Sequence, residues 1–94
     1  IYKDGQSGEE RLLRSCYINC LDLAFYTGLS SIAFPAISCG VYGYPNDAAV
    51  LIAVRAVQQW MMNQPKHNMK QIQFIAFDDS LLGLYTEALQ LYGV

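Results

Sequence analysis

The chain has 94 residues, of which 53% are hydrophobic and 15% are charged, and its formal net charge is -2. This length is that of one modest domain, covering residues 1–94. The acidic balance excludes the basic face typical of a nucleic-acid-binding module. No apolar run reaches the roughly 18 residues that a membrane span needs, and no signal peptide is evident, so we expect a soluble, cytoplasmic protein.

The apolar content is high for so few charged residues. A small free-standing domain with this composition has too little polar surface to cover itself. We therefore expect part of its apolar surface to be buried against polypeptide outside residues 1–94.

The first predicted element is an amphipathic helix. Ser7 and Glu10 have the spacing of a capping box, which predicts a helix start near Ser7. Gly28 is suited to a left-handed helix end. Between them, apolar residues recur at intervals of three and four, as on one helix face: Leu12, Leu13, Cys16, Tyr17, Cys20, Leu21 and Ala24.

Three cysteines, Cys16, Cys20 and Cys39, do not form a disulfide framework in this composition. Cys16 and Cys20 lie four residues apart, so their thiols would share one helix face and could ligate a metal. With His67 as the single histidine and no further cysteine pair, four-coordinate zinc cannot be completed. We favour buried thiols that act as small hydrophobic groups, and we expect no metal and no cofactor.

Two short apolar runs, at 30–38 and 71–78, have the length and continuous apolarity of strands buried on both faces. Pro35 predicts an unpaired or bulged point in the first of these strands. The residues at 46–64 and 80–93 predict helices; the first ends before Pro65, and Asp79 or Ser80 caps the second.

The order of elements is therefore helix, strand, helix, strand, helix. A strand, a helix and a second strand with a connection of this length imply a right-handed parallel unit, with helices on both faces of the sheet. Because two strands form a poor sheet, we expect at least two more strands from an N-terminal segment or from a partner.

The sequence SCGVYGYP at 38–45 follows the first predicted strand, at the edge where open parallel sheets bind ligands. Gly40 and Gly43 would let the backbone approach a ligand, and Pro45 suits the first turn of the next helix. Free N–H groups and the helix dipole could hold an anion without a charged side chain. An ordinary strand-to-helix turn remains an alternative. The Walker, Rossmann and nucleophile-elbow patterns do not fit.

The segments IAFPAISCGVYGYP, DAAVLIAVRAV and IQFIAFDDSLLGLY together resemble the second half of a macrodomain, the ADP-ribose-binding module. The resemblance implies an α/β fold: a three-layer α/β/α sandwich around a mixed sheet, with this chain supplying the last two strands and three helices. It also implies that the N-terminal half of the domain lies outside residues 1–94. That half carries the family's adenine-binding Asp, its glycine-rich phosphate loop and the residues implicated in catalysis, so the catalytic residue is unknown here.

The resemblance assigns ligand contacts within this chain. The backbone from Ser38 to Tyr42 would surround the diphosphate, and the Tyr42 side chain would lie along the distal ribose. Phe77 would pack on adenine, with Asp78 near the proximal ribose. The implied ligand-binding residues are Pro35, Ala36, Ser38, Cys39, Gly40, Val41, Tyr42, Phe77 and Asp78.

Several of these residues have structural alternatives. Phe77 could be a core aromatic residue, and Asp78 with Asp79 could cap the last helix. Tyr44 more plausibly packs under the helix than against the ligand. Cys39 is a weak candidate nucleophile, because His67, at the far end of the following helix, is the single possible base.

Three functions remain open from the sequence. The segment PAISCGVYGYP is most similar to the MacroD-type branch of the family, which implies hydrolysis of ADP-ribosyl linkages on proteins or of O-acetyl-ADP-ribose. The alternatives are a reader that binds ADP-ribose or ADP-ribosylated protein without turnover, and an incomplete fragment that binds neither. The expected partners are this ligand and the N-terminal segment of the same domain, with no nucleic acid and no membrane.

Overall fold

A computed structural model describes residues 8–35 and 45–92 of the chain. Five elements follow one another in the predicted order: α1 (Glu9–Tyr26), β1 (Ser31–Phe34), α2 (Asn46–Asn63), β2 (Gln71–Phe74) and α3 (Asp79–Tyr92). Within the described ranges, no helix is long and apolar enough to cross a membrane.

The two strands pair in parallel, with Ile32 opposite Ile72 and Phe34 opposite Phe74. The helix α2 connects the end of β1 to the start of β2, as a parallel pair requires. The prediction of a parallel β–α–β unit is confirmed. Both strands are shorter than the predicted runs, since the described ladder ends at Phe34 and Phe74.

One face of this sheet carries all three helices. Exposure alternates along both strands, and the side chains of Ser31, Ala33, Gln71 and Gln73 on the opposite face are exposed. Among the described residues the helices cover one face, so the predicted burial of the second face is not met by these residues alone. The helices α1 and α3 lie on either side of α2, and each packs against it.

Four aromatic rings join the sheet to the two outer helices. Tyr17 of α1 meets Phe34 edge to face, with ring centroids 4.9 Å apart. Phe34 stacks on Phe74 at 6.0 Å, and Phe74 stacks on Tyr85 of α3 at 5.1 Å. Such offset and edge-to-face pairs add about 0.5–1.5 kcal/mol each beyond the burial of their area. The rings thereby fix both outer helices to the same face of the sheet.

The helix α2 fills the space between α1 and α3. Its buried side chains are mostly small, which lets the neighbouring helices approach closely. Trp60 is the large exception, and its indole Nε1–H donates a 2.9 Å hydrogen bond to Asp22 Oδ1 of α1. The buried residues of α2 are Ala49, Val50, Ala53, Val54, Ala56, Val57 and Trp60.

The end of α1 is a Schellman motif, as Gly28 predicted. Gly28 has a positive φ of 77°, and its N–H donates to the carbonyl of Phe25 at 3.2 Å. The N–H of Leu29 donates to the carbonyl of Ala24 at 2.9 Å. Both bonds satisfy carbonyl groups that the helix itself cannot pair.

The start of α1 differs from the prediction. Gly8 is the N-cap, in a left-handed conformation with φ 86°, and no side chain caps the helix. The predicted capping box, which required Ser7 at that position, is therefore wrong, although Ser7 itself lies outside the described residues. Glycine is tolerated as an N-cap because it adopts either sign of φ without steric cost.

The predicted burial of the thiols is also wrong for the described residues. Leu13, Tyr17, Leu21 and Ala24 of α1 are buried, whereas Cys16 and Cys20 are exposed. Both cysteines lie beside the buried side chains on the same helix, where the core of the described residues ends.

A pair of glycine substitutions tests the helix-end assignment. Gly28→Ala places a Cβ at φ 77° and should lower the free energy of unfolding by about 1–2 kcal/mol. Gly83→Ala, inside α3 with open space around the added Cβ, should instead raise it by roughly 0.5–1 kcal/mol. Urea denaturation followed by helical circular dichroism compares the two variants. Equal shifts of the same sign would contradict the assignment.

Candidate functional site

The candidate site lies at the carboxyl ends of the two strands. Because β1 and β2 are parallel, the residues that follow each strand leave the sheet at the same edge. One hydrogen bond extends the pairing past the ladder: Ile75 N–H donates to the carbonyl of Phe34 at 2.8 Å. Pro35 follows Phe34 directly and lies outside the described strand, whose ladder ends at Phe34, which agrees with the predicted unpaired point at Pro35.

The helix α2 begins at this edge. Pro45 is its N-cap, not the first helical residue, and its carbonyl accepts the first helical hydrogen bond from Ala49 at 2.9 Å. Pro45 supplies no side-chain cap. The Asp47 carboxylate accepts the Ala48 N–H at 2.9 Å. The positive end of the α2 dipole therefore points towards the edge where β1 ends.

Asp47 is a feature of this edge that the sequence interpretation missed. The sequence could have indicated Asp47, because an acidic residue in the first turn is typical of a helix start. Its carboxylate is exposed, so it adds negative charge to an edge that was predicted to hold an anion.

The helix α3 begins at the same edge with a side-chain cap. Asp78 Oδ1 accepts the N–H of Leu81 at 2.8 Å, which is the bond that an N-cap makes to the third helical residue. The alternative that Asp78 caps the last helix is confirmed, whereas Asp79 and Ser80, the other predicted caps, lie inside the helix. A carboxylate has two oxygens with about four acceptor positions, so this cap leaves Asp78 able to accept further hydrogen bonds.

Phe77 is exposed between the end of β2 and the start of α3. Its side chain is 60% exposed, whereas Phe34 and Tyr85 of the core are almost completely buried. Phe77 is therefore not a core residue, and the alternative interpretation as a core aromatic is wrong for the described residues. A phenyl ring presented at the ligand edge of a parallel sheet can stack on a flat apolar group.

The predicted diphosphate loop falls outside the described residues. The structure places Pro35, Phe77 and Asp78 at one edge, and it does not describe the rest of the predicted set: Ala36, Ser38, Cys39, Gly40, Val41 and Tyr42. Gly43 and Tyr44 are outside as well. The roles of these residues stay predictions from the resemblance.

His67 lies far from this edge along the fold. It precedes β2, at the amino end of the strand, and its Nδ1 accepts the N–H of Met69 at 3.1 Å. Its ring packs against Trp60, with centroids 5.4 Å apart. Among residues 8–35 and 45–92, no three side chains of His, Cys, Asp or Glu are grouped to hold a metal ion.

The fold and the edge define a class of protein: an α/β domain with its candidate ligand site where parallel strands lead into helices. Comparison with known proteins then gives the family. The Macro domain family model matches residues 1–53. A macro domain-containing protein of Listeria monocytogenes is 44% identical over 87 residues, which cover 93% of this chain and 49% of that protein. The chain belongs to the macrodomain family.

One further relative is named for an enzymatic activity, and one solved structure contains a ligand. A protein of Escherichia fergusonii named O-acetyl-ADP-ribose deacetylase is 42% identical over 94 residues, covering 99% of this chain and 51% of that protein. A solved structure of an Oceanobacillus iheyensis macrodomain variant with ADPR has a TM-score of 0.86 and 34% identity, covering 97% of this chain and 47% of that one. The chain thus spans about half the length of the relatives it matches.

A cap substitution tests the role of Asp78. Asp78→Ala should lower the free energy of unfolding by about 1 kcal/mol, because the Leu81 N–H loses its acceptor, whereas Asp78→Asn should keep most of that free energy. Ser80→Ala is the matched control. Urea denaturation measures all three, and a larger loss for Ser80→Ala than for Asp78→Ala would contradict the assignment.

Proposed function

We propose that this chain forms one side of an ADP-ribose site, and that the complete domain hydrolyses ADP-ribosyl linkages on proteins or in O-acetyl-ADP-ribose. The observation that carries the proposal is the juxtaposition of Pro35, the start of α2, and exposed Phe77 beside Asp78 at one sheet edge. The likeness to proteins named O-acetyl-ADP-ribose deacetylase, and to a macrodomain structure with ADPR, supports this ligand.

The diphosphate is proposed to bind the segment from Ser38 to Tyr42, between Pro35 and Pro45. Backbone N–H groups and the α2 dipole would supply the positive potential, as at other helix N-termini that bind phosphate. The exposed carboxylate of Asp47 repels an anion at the start of α2. The backbone N–H groups and the helix dipole would therefore have to outweigh this repulsion.

The nucleoside end of the ligand is proposed to lie after β2. Phe77 offers its exposed ring to adenine, a contact worth about 1–3 kcal/mol for a base on an aromatic side chain. Asp78 can accept hydrogen bonds from ribose hydroxyl groups while its Oδ1 caps α3. One residue thus anchors the helix and borders the ligand.

Hydrolysis is proposed to rely on positioning. The loop would hold the diphosphate so that a water molecule near the distal phosphate attacks the distal ribose carbon or its ester, and geometry and preorganised dipoles would supply most of the rate. Cys39 is not proposed as a nucleophile, because the single histidine lies at the amino end of β2. The residues implicated in catalysis belong to the N-terminal half of the domain, which is the proposed structural partner.

A fused domain tests the proposal. Joining the N-terminal half of the Escherichia fergusonii relative to residue 1 should give a protein that binds ADP-ribose in a calorimetric titration and releases acetate from O-acetyl-ADP-ribose. The complete relative is the control for both measurements. Binding without turnover would favour a reader function, and a folded fused domain that binds no ADP-ribose would contradict the proposal.

The role of Phe77 has its own test in the fused domain. Phe77→Ala should weaken ADP-ribose affinity roughly tenfold through the loss of stacking. Tyr26→Ala is the matched control: this side chain is 77% exposed at the end of α1, next to the amino end of β1, and its removal should leave affinity unchanged. Calorimetry compares the two variants, and equal effects would remove Phe77 from the site.

A further inference from the structure

A groove runs between α1 and α2 on the surface of the helical layer that faces away from the sheet. Leu51 and Arg55 lie along its α2 side, and both are exposed opposite the buried side chains of that helix. This α1–α2 groove has a volume of about 340 Å³, and half-buried Ile52 and buried Ala56 contribute apolar surface to it. Its polar lining residues are Glu10, Arg14, Arg55 and Gln59.

The α1–α2 groove opens at the carboxyl edge of the sheet. The helix α2 begins at this edge, with Ala48 in its first turn. The other ends of the two helices lie together, because Trp60 near the end of α2 donates a hydrogen bond to Asp22 near the end of α1. Glu10, in the first turn of α1, is therefore at the same edge as Ala48. The groove thus begins beside the proposed ADP-ribose site.

The length of the α1–α2 groove is that of a short peptide. Ala48 and Gln59 lie at its two ends along α2, and eleven residues of helix span about 16 Å at 1.5 Å per residue. An extended chain advances roughly 3.3 Å per residue, so about five residues of a peptide cover this distance. An open groove of this length suits a segment of polypeptide that passes along the helices.

The charges in the α1–α2 groove favour an acidic segment. Arg14 and Arg55 are two of the six Lys and Arg residues of an acidic chain, and both are exposed. Among the described residues that line the groove, Glu10 is the single carboxylate. The groove is therefore positive on balance, in contrast to the chain as a whole. Clusters of arginine recognise acidic motifs because the guanidinium donors match carboxylate oxygens.

Arg55 is held in place before any ligand binds. Its guanidinium carbon lies 5.7 Å from the centre of the Tyr92 ring, and the Gln58 side-chain amide donates a 2.8 Å hydrogen bond to the Tyr92 carbonyl. These contacts fix the end of α3 beside Arg55. A guanidinium that lies on an aromatic ring still directs its N–H donors outward in its own plane. Arg55 therefore has less conformational freedom to lose when it binds a carboxylate.

The neighbouring groove between α2 and α3 has the opposite charge. It has a volume of about 240 Å³, and its charged lining residues are Asp47 and Glu87 beside apolar Leu84 and Leu91. Its carboxylates repel an acidic segment, whereas Arg14 and Arg55 attract one. The outer surface of the helices thus distinguishes between its two grooves by charge.

We propose that the α1–α2 groove binds an acidic segment of the ADP-ribosylated protein, next to the modified residue, and so selects the protein substrate. This proposal rests on the proposed function and adds a substrate class to it: proteins with Asp or Glu within about five residues of the modified side chain. O-acetyl-ADP-ribose carries no polypeptide, so its turnover does not use the groove.

A binding measurement tests the groove without ADP-ribose. A fluorescent peptide with five consecutive aspartates should bind the fused domain roughly fivefold more tightly than the same peptide with five asparagines. Fluorescence anisotropy measures both affinities at low ionic strength, because salt screens exposed charge pairs. The double variant Arg14→Gln/Arg55→Gln should bind the two peptides equally.

Two further variants separate the groove from general effects of charge and stability. Lys66→Gln/Lys70→Gln removes the same charge from exposed residues between α2 and β2, and it should keep the preference for aspartate. Arg14→Gln alone leaves the contact of Arg55 with Tyr92 intact, and it should lower the preference to roughly twofold.

Turnover tests the selection of substrate. Two peptides each carry one ADP-ribosylated glutamate, flanked on both sides by aspartates in one and by asparagines in the other. In the fused domain, KM for release of ADP-ribose should be roughly fivefold lower for the aspartate peptide, with kcat equal for the two. Arg14→Gln/Arg55→Gln should make the two KM values equal and leave turnover of O-acetyl-ADP-ribose unchanged.

Three results would overturn the proposal. They are equal binding of the aspartate and asparagine peptides, a preference that persists in Arg14→Gln/Arg55→Gln, and a dimer of the fused domain that this double variant dissociates in analytical ultracentrifugation. Binding that prefers aspartate, without release of ADP-ribose from either modified peptide, would support the groove and contradict the proposed function. The two failures can therefore be told apart.

Discussion

The parallel pairing of β1 with β2, in the register that places Phe34 opposite Phe74, is the constraint on which the other features depend. Parallel pairing requires a crossover, which α2 supplies, and it brings both strand ends to one edge. The same register stacks the two rings on the helix side of the sheet, where Tyr17 and Tyr85 pack against them. The core and the candidate site are therefore consequences of a single alignment.

An acidic chain that is proposed to bind an anion needs a source of positive potential other than side chains. The helix starts provide it, because α2 and α3 both begin at the carboxyl edge. They are capped differently: Asp78 caps α3 through Leu81, whereas Pro45 leaves α2 without a side-chain cap. This difference agrees with the proposed division of the ligand, with the diphosphate near α2 and the nucleoside near Phe77 and Asp78.

Sequence patterns predicted the elements well where the cause is local. The three- and four-residue spacing in α1, the left-handed Gly28 and the boundaries of α2 depend on near neighbours in the chain, and the structure confirms them. The cap of α3 could not be narrowed to one residue, because Asp78, Asp79 and Ser80 are all good capping residues and the choice of Asp78 depends on where β2 ends.

Whether Cys16 and Cys20 are buried could not be predicted from the neighbouring residues in the sequence. Helical spacing shows which side chains share a face, but what covers that face depends on distant polypeptide. The same reason explains why the strands appeared suited to burial on two faces, while the described residues cover one. The candidate site shares this limit: Phe77 and Asp78 could be placed at the edge from the sequence, whereas the residues implicated in catalysis could not.

The central claim is that ligand binds at the carboxyl edge of the β1–β2 pair, and amide chemical shifts of the isotope-labelled fused domain test it most directly. On titration with ADP-ribose, the largest shift changes should fall in residues 36–48 and 75–81. The connections at the amino ends of the strands, residues 27–30 and 64–70, should remain unchanged. Changes concentrated in those two connections would contradict the claim.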